Sequence, residues 1–181
     1  MAKDLEIPVW FAMSAPYCRE LKAKELLDSK GVENYVAMHY VVKDRCGCKT
    51  RVLEPVIHNL IFARGLKKRI QEVKTGVDYL QYLTMVEDGR RVPMIVPDWQ
   101  MEQFMKVCDT HNSGLRFFKP GEVNISQGAR VRIIGGEFNG VEGVFIRLAG
   151  NRSRSVVVEI PMVASVATTT ISPDLIERLE D

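Results

Sequence analysis

The sequence predicts an α+β N-terminal domain followed by a small all-β domain. Three observations point there. Up to Asp109, short apolar runs alternate with two amphipathic stretches of helical period. Between Asp109 and Ser126, turn residues take over. Beyond that point, short β-branched runs recur with glycines between them. The expected boundaries are a domain over 1–110, a linker over 111–126 and a second domain over 127–181.

The elements follow in order. Val9 to Met13 is an apolar run before Pro16 and reads as a buried strand. Leu21, Ala23, Leu26 and Leu27 form one face of a helix, with Gly31 placed to take the left-handed residue after its end. Tyr35 to Val42 reads as a strand, and polar Lys43 to Arg51 as a flexible hairpin loop. Leu60 to Ala63 is a strand, Lys67 to Lys74 helical, Tyr79 to Val86 strand-like, and Asp88-Gly89 a turn. Met101, Phe104, Met105 and Cys108 mark a second amphipathic helix, with Asp98 as its N-cap. After the linker, strands are expected over Val131 to Ile134, Val141 to Leu148, Ser155 to Ile160 and Met162 to Thr170. Ser172-Pro173-Asp174 starts a terminal helical turn, with Ser172 as N-cap and Pro173 in the first helical position.

The 181 residues are 46% hydrophobic and 27% charged, the composition of a globular chain. No apolar run is long enough to span a bilayer, and the first residues lack a signal-peptide core. A cytoplasmic protein without membrane partners is expected. The four cysteines then read as thiols and not as a disulfide framework. A net charge of +2 gives no global basic field, but Lys43 to Arg51 and Arg64 to Arg69 are locally basic.

Gln127 to Val144 carries the sharpest motif. An alternating strand with Val131 and Ile133 runs into Gly135-Gly136, Phe138, Asn139-Gly140 and Gly143. This pattern resembles the KOW motif, a small SH3-like β-barrel element of ribosomal proteins and transcription elongation factors. Trp10-Phe11, the helical stretch Arg19 to Ser29, and Glu54 to Phe62 occur at spacings that resemble the N-terminal domain (NGN) of NusG-type transcription factors. Glu54 to Phe62 and Pro93 to Asp98 look closer to the specialised RfaH-like and UpxY-like paralogues. The chain departs from that pattern at His58 and Leu60, where the family usually has proline and an aromatic residue.

The resemblance implies an antiparallel sheet flanked by helices, joined to a KOW barrel. It implies a bacterial transcription elongation and antitermination factor with no active site and no cofactor. The family's N-terminal domain binds the clamp helices of the largest RNA polymerase subunit and suppresses pausing. Carried over, polymerase-binding positions are Trp10, Phe11, Ile57, Leu60 and Phe62, although Trp10, Phe11 and Phe62 also suit a core. Positions facing the non-template DNA strand are Arg19, Lys22 and Lys24, with Lys67, Lys68 and Arg69 as a second basic surface. In the KOW domain, Phe138, Arg147, Arg152 and Arg154 would meet a partner, either a small-subunit ribosomal protein or the Rho helicase. Val156 to Val158 and Thr168 to Thr170 are β-branched and oppose the helical refolding known in RfaH.

Other readings are weaker. Cys46, Cys48, His39 and His58 have ligand chemistry for zinc, but their spacing matches no common module, so no metal site is assigned. His111 and Ser113-Gly114 lie in the linker and form no hydrolase set. The alternative function is a KOW-containing RNA-binding or ribosome-associated protein. Its signature, exposed aromatics interleaved with basic residues, is missing from the barrel segment.

Overall fold

The computed structural model describes residues 7–126, 128–148 and 154–179. The chain forms two compact units, Met1–Ala37 with Pro55–Asp98 and Met38–Glu54 with Trp99–Asp181.

The first unit is built on strand β1 (Val9–Ser14). Trp10, Phe11, Ala12 and Met13 are all buried, so both faces of this strand are covered. That explains why its sequence is a continuous apolar run without alternation. Strand β2 (Glu33–Tyr35), β5 (Leu60–Gly65), β1 and β6 (Gln81–Tyr82) lie side by side in the order β2-β5-β1-β6, and β9 (Ile95–Val96) also pairs with β1. The β1–β5 pair is antiparallel, with Phe11 opposite Ala63.

Helix α1 (Glu20–Ser29) ends as expected. Gly31 takes φ +65°. Its N–H donates to Asp28 and the Val32 N–H to Leu27, the paired bonds of a Schellman motif. Helix α2 (Lys67–Thr75) buries Ile70 and Val73. The expected strand Tyr79 to Val86 is interrupted at Leu83: β6 pairs with β1, whereas β7 (Thr84–Glu87) pairs with β8 (Arg90–Pro93). Asp88 and Gly89, at φ 49° and 74°, form the tight turn between β7 and β8. Helix α3 (Asp98–Cys108) begins at Asp98, whose carboxylate accepts from Arg64 at 3.3 and 3.0 Å.

In the second unit, Lys43 to Arg51 is not a flexible loop. Strands β3 (Met38–Arg45) and β4 (Cys48–Pro55) extend through it as a two-stranded sheet. The reversal needs only Cys46 and Gly47, both with positive φ. That is the backbone of a tight hairpin turn, hidden in the sequence because cysteine seldom occupies its first position.

The remaining strands form one antiparallel sheet, ordered β10-β14-β13-β12-β11-β15. They are β10 (Arg116–Phe118), β11 (Ala129–Ile133), β12 (Glu142–Arg147), β13 (Arg154–Ile160), β14 (Ala164–Ala167) and β15 (Ile176–Arg178). Strand β10 falls within the expected linker and pairs with β14. Gly135, Gly136 and Gly140 take positive φ at the bends. Gly143 serves a different need, because a Cβ there would lie 2.5 Å from the Val157 carbonyl oxygen on β13. Pro173–Leu175 forms a 3₁₀ turn with Pro173 first, but Ser172 makes no side-chain capping bond. Its hydroxyl donates instead to Asp174. No helix among the described residues is long and apolar enough to cross a membrane.

Candidate functional site

The loop between β1 and α1 supports the most distinctive surface of the first unit. Tyr17 and Cys18 are consecutive non-glycine residues with positive φ, 61° and 54°. Such backbone costs about 1–3 kcal/mol per residue and persists only where surroundings hold it. The holding contacts come from Asn59. Its carbonyl oxygen accepts from the Ala15 N–H at 2.9 Å, and its side-chain oxygen accepts from the Cys18 N–H at 2.9 Å.

This turn leaves the Tyr17 side chain 85% exposed. The Arg19 guanidinium lies 5.6 Å from the Tyr17 ring centre and 5.7 Å from that of Tyr79. Lys22 sits 4.9 Å from the Tyr79 centre. Each exposed cation–ring contact contributes about 0.5–1 kcal/mol. Neither Arg19 nor Lys22 has an ion-pair partner among the described residues. The result is a surface of uncompensated cations against aromatic rings, which suits phosphate and base contact together.

Nearby in sequence, Lys74 lies 5.8 Å from the Tyr82 ring centre. Burial pushes the pKa of the Tyr82 hydroxyl up to about 12.

The other predicted DNA-facing residues differ. Lys24 is committed to Asp28 at 3.1 Å and Asn34 at 3.4 Å. The Asn34 hydrogen bond, then Lys24, holds the Asp28 carboxyl below its usual range. Arg69 binds Glu72 at 3.4 Å and the Lys30 carbonyl at 3.0 Å. Lys67 is half-buried and Lys68 exposed. The sequence points to Arg19 and Lys22 but not to Tyr17 and Tyr79, because the rings meet these cations only when the chain folds.

The predicted polymerase-binding set is mostly interior. Trp10, Phe11, Leu60 and Phe62 are buried, and Ile57 alone is partly exposed. Phe11 packs its ring 5.3 Å from that of Tyr82. A buried side chain shapes a surface from beneath, so within this set Ile57 alone has surface to offer a partner.

In the second unit, Phe138 is buried. Arg147 and Arg154 are exposed and face each other across β12 and β13. Like charges directly opposite are unfavourable unless something anionic meets them. Both line a groove of about 610 Å³ with Arg178 from β15, a residue that no sequence motif singles out. Arg152 lies outside the described residues. His111 is structural: its Nδ1 lies 3.1 Å from the Met38 carbonyl, and its ring meets Tyr40 edge-on at 5.5 Å.

The zinc set Cys46, Cys48, His39 and His58 is not assembled. Among the described residues, the one grouping of three ligand-type side chains is Cys18, Glu20 and His58. It shares only His58 with that set.

A family model described as "Transcription termination factor nusG" matches residues 8–105. No curated protein matches the chain. Among solved structures, NusG of Thermotoga maritima, from work on its domain interaction, is 18% identical. The alignment covers 96% of this chain and 98% of that one, with a TM-score of 0.44. The MjSpt4:Spt5 complex gives 16% identity, coverage of 95% and 97%, and a TM-score of 0.29.

Proposed function

We propose, because the chain belongs to the NusG family and so has a role in transcription elongation, that it acts by binding and not by catalysis. The first unit docks on the clamp helices of RNA polymerase, with Ile57 as the partly exposed apolar contact and Leu60 and Phe62 as its buried support. The face made by Tyr17, Arg19, Lys22 and Tyr79 meets the non-template DNA strand. Bases stack on the rings while Arg19 and Lys22 meet phosphates. A factor that binds the elongating state better than the paused state shifts the population toward elongation, by no more than its differential affinity. This gives antitermination without a reacting group.

The observation that carries this reading is that Arg19, against Tyr17 and Tyr79, and Lys22, against Tyr79, have no ion-pair partner among the described residues. The second unit recruits a partner, a ribosomal protein or Rho, through the groove bearing Arg147, Arg154 and Arg178. The same three arginines favour a second reading, in which this unit binds RNA directly.

The test is binding of the full chain to reconstituted elongation complexes, with and without an exposed non-template strand. Affinity that depends on that strand and falls in Arg19→Ala supports the reading. Affinity unchanged by removing the strand sinks the DNA assignment, and affinity unchanged by Ile57→Asp in a folded protein sinks the docking assignment.

A further inference from the structure

The loop between β1 and α1 also carries donor chemistry that the function proposed above leaves unused. The Cys18 sulfur, a Glu20 carboxylate oxygen and a His58 ring nitrogen all lie within 4.8 Å of one another. Glu20 opens α1, Cys18 lies in the loop before it, and His58 lies in the turn before β5. We propose that these three side chains form a binding site for a divalent transition metal, with zinc the best match.

The donor set is the first argument. Thiolate, imidazole and carboxylate together suit a borderline-soft ion, and zinc accepts all three in a tetrahedral shell. The charges also balance. Zinc brings +2, the Glu20 carboxylate and Cys18 thiolate each bring −1, and His58 binds neutral. One proton leaves the thiol for solvent, and the bound site is neutral.

Burial is the second argument. The Glu20 side chain is 1% exposed, whereas that of His58 is 63% exposed. A buried carboxylate needs strong compensation. Its partners among the described residues are the Asn59 N–H at 3.2 Å and His58 Nδ1 at 3.3 Å. A bound cation would add a full positive charge beside these two contacts.

Geometry is the third. Tetrahedral zinc with these bond lengths places ligand atoms about 3.5 Å apart. Glu20 and His58 already meet that spacing at 3.3 Å. The Cys18 sulfur lies within 4.8 Å of both, on an exposed side chain that has room to adjust. Asn59 braces two of the donors, since its N–H binds Glu20 and its side-chain oxygen fixes the Cys18 backbone. Three protein ligands leave the fourth position for water.

Titrating the untagged, reduced full chain with Co²⁺ tests this. The expected result is one ion per chain with a thiolate-to-cobalt charge-transfer band. Losing even an outer-shell partner costs about 10–100-fold in affinity, so His58→Gln should weaken binding at least that much. Cys18→Ser should abolish the band, and Cys46→Ser with Cys48→Ser should keep it. A second measurement needs no variant: Zn²⁺ should slow alkylation of Cys18, located by mass spectrometry. No band, a band that survives Cys18→Ser, a band abolished by Cys46→Ser with Cys48→Ser, or alkylation of Cys18 unaffected by Zn²⁺ would each overturn the proposal.

Discussion

Arg19 and Lys22 on one side, and Lys24, Arg64 and Arg69 on the other, are alike as charges in a sequence and unlike in the folded unit. The first pair rests on aromatic rings and has no acidic partner among the described residues. The second set is spent on structure. Lys24 is tied to Asp28, Arg69 to Glu72, and Arg64 bridges Glu33 and Asp98. The bond to Asp98, then that to Glu33, raises the Arg64 guanidinium above its ordinary value. The difference teaches that a basic cluster is a binding surface only where its charges are not already satisfied. An exposed ion pair stabilises by about 0–1 kcal/mol and offers a phosphate little net field.

The two sets of cations should differ most through the rings. Tyr17→Ala and Tyr79→Ala should each weaken binding of a single-stranded DNA by about 1–3 kcal/mol, read by fluorescence anisotropy. An equal weakening in Lys24→Ala would erase the distinction between the two sets.

Tyr82 sharpens it from the buried side. Its folded value is raised to about 12, so its neutral form is favoured in the folded state. The associated stability is fully present below the ordinary tyrosine range near 10 and is lost as pH climbs toward about 12. That loss should reach at most about 3 kcal/mol and be reduced in Tyr82→Phe, measured by denaturant titrations across that window. An identical alkaline profile in the variant would refute the assignment.

Salt dependence separates the charges directly. Arg19→Ala with Lys22→Ala should lower the slope of log affinity against log salt by about 0.7 for each phosphate that is no longer neutralised. Lys24→Ala and Arg69→Ala should leave that slope unchanged.

The smallest effect is on stability. Lys24→Ala should cost about 0.3–0.5 kcal/mol by removing an i,i+4 pair. The Asp28 contribution, from a lowered carboxyl, is present above the ordinary aspartate range and fades as pH falls through its folded value. Thermal melts of Asp28→Asn at neutral and acidic pH should therefore differ from those of the parent at neutral pH and converge with them in acid.

Several elements are legible in the sequence because their cause is local. The Schellman end of α1 needs a left-handed residue, and Gly31 announces it. The turn at Asp88-Gly89 and the bends at Gly135, Gly136 and Gly140 are written in residues that tolerate positive φ. The tight hairpin at Cys46-Gly47 is not legible, because half of its turn is a cysteine. Gly143 belongs to the same sequence motif, yet the fold needs it for close approach to the Val157 carbonyl oxygen.

By itself the sequence determined the α+β to all-β order and both amphipathic helices, since these rest on periodicity and short-range backbone preference, while the family resemblance rests on the likeness of short motifs such as Gln127 to Val144 and Glu54 to Phe62. The tertiary structure alone decided which charges are free and which aromatics are outside. Tyr79 reaches Arg19 and Lys22 across a long sequence separation, Arg178 joins Arg147 and Arg154 in one groove, and His58 finds Glu20 and Cys18 instead of Cys46 and Cys48. Such groupings depend on how strands pair and loops turn, and no local preference encodes them.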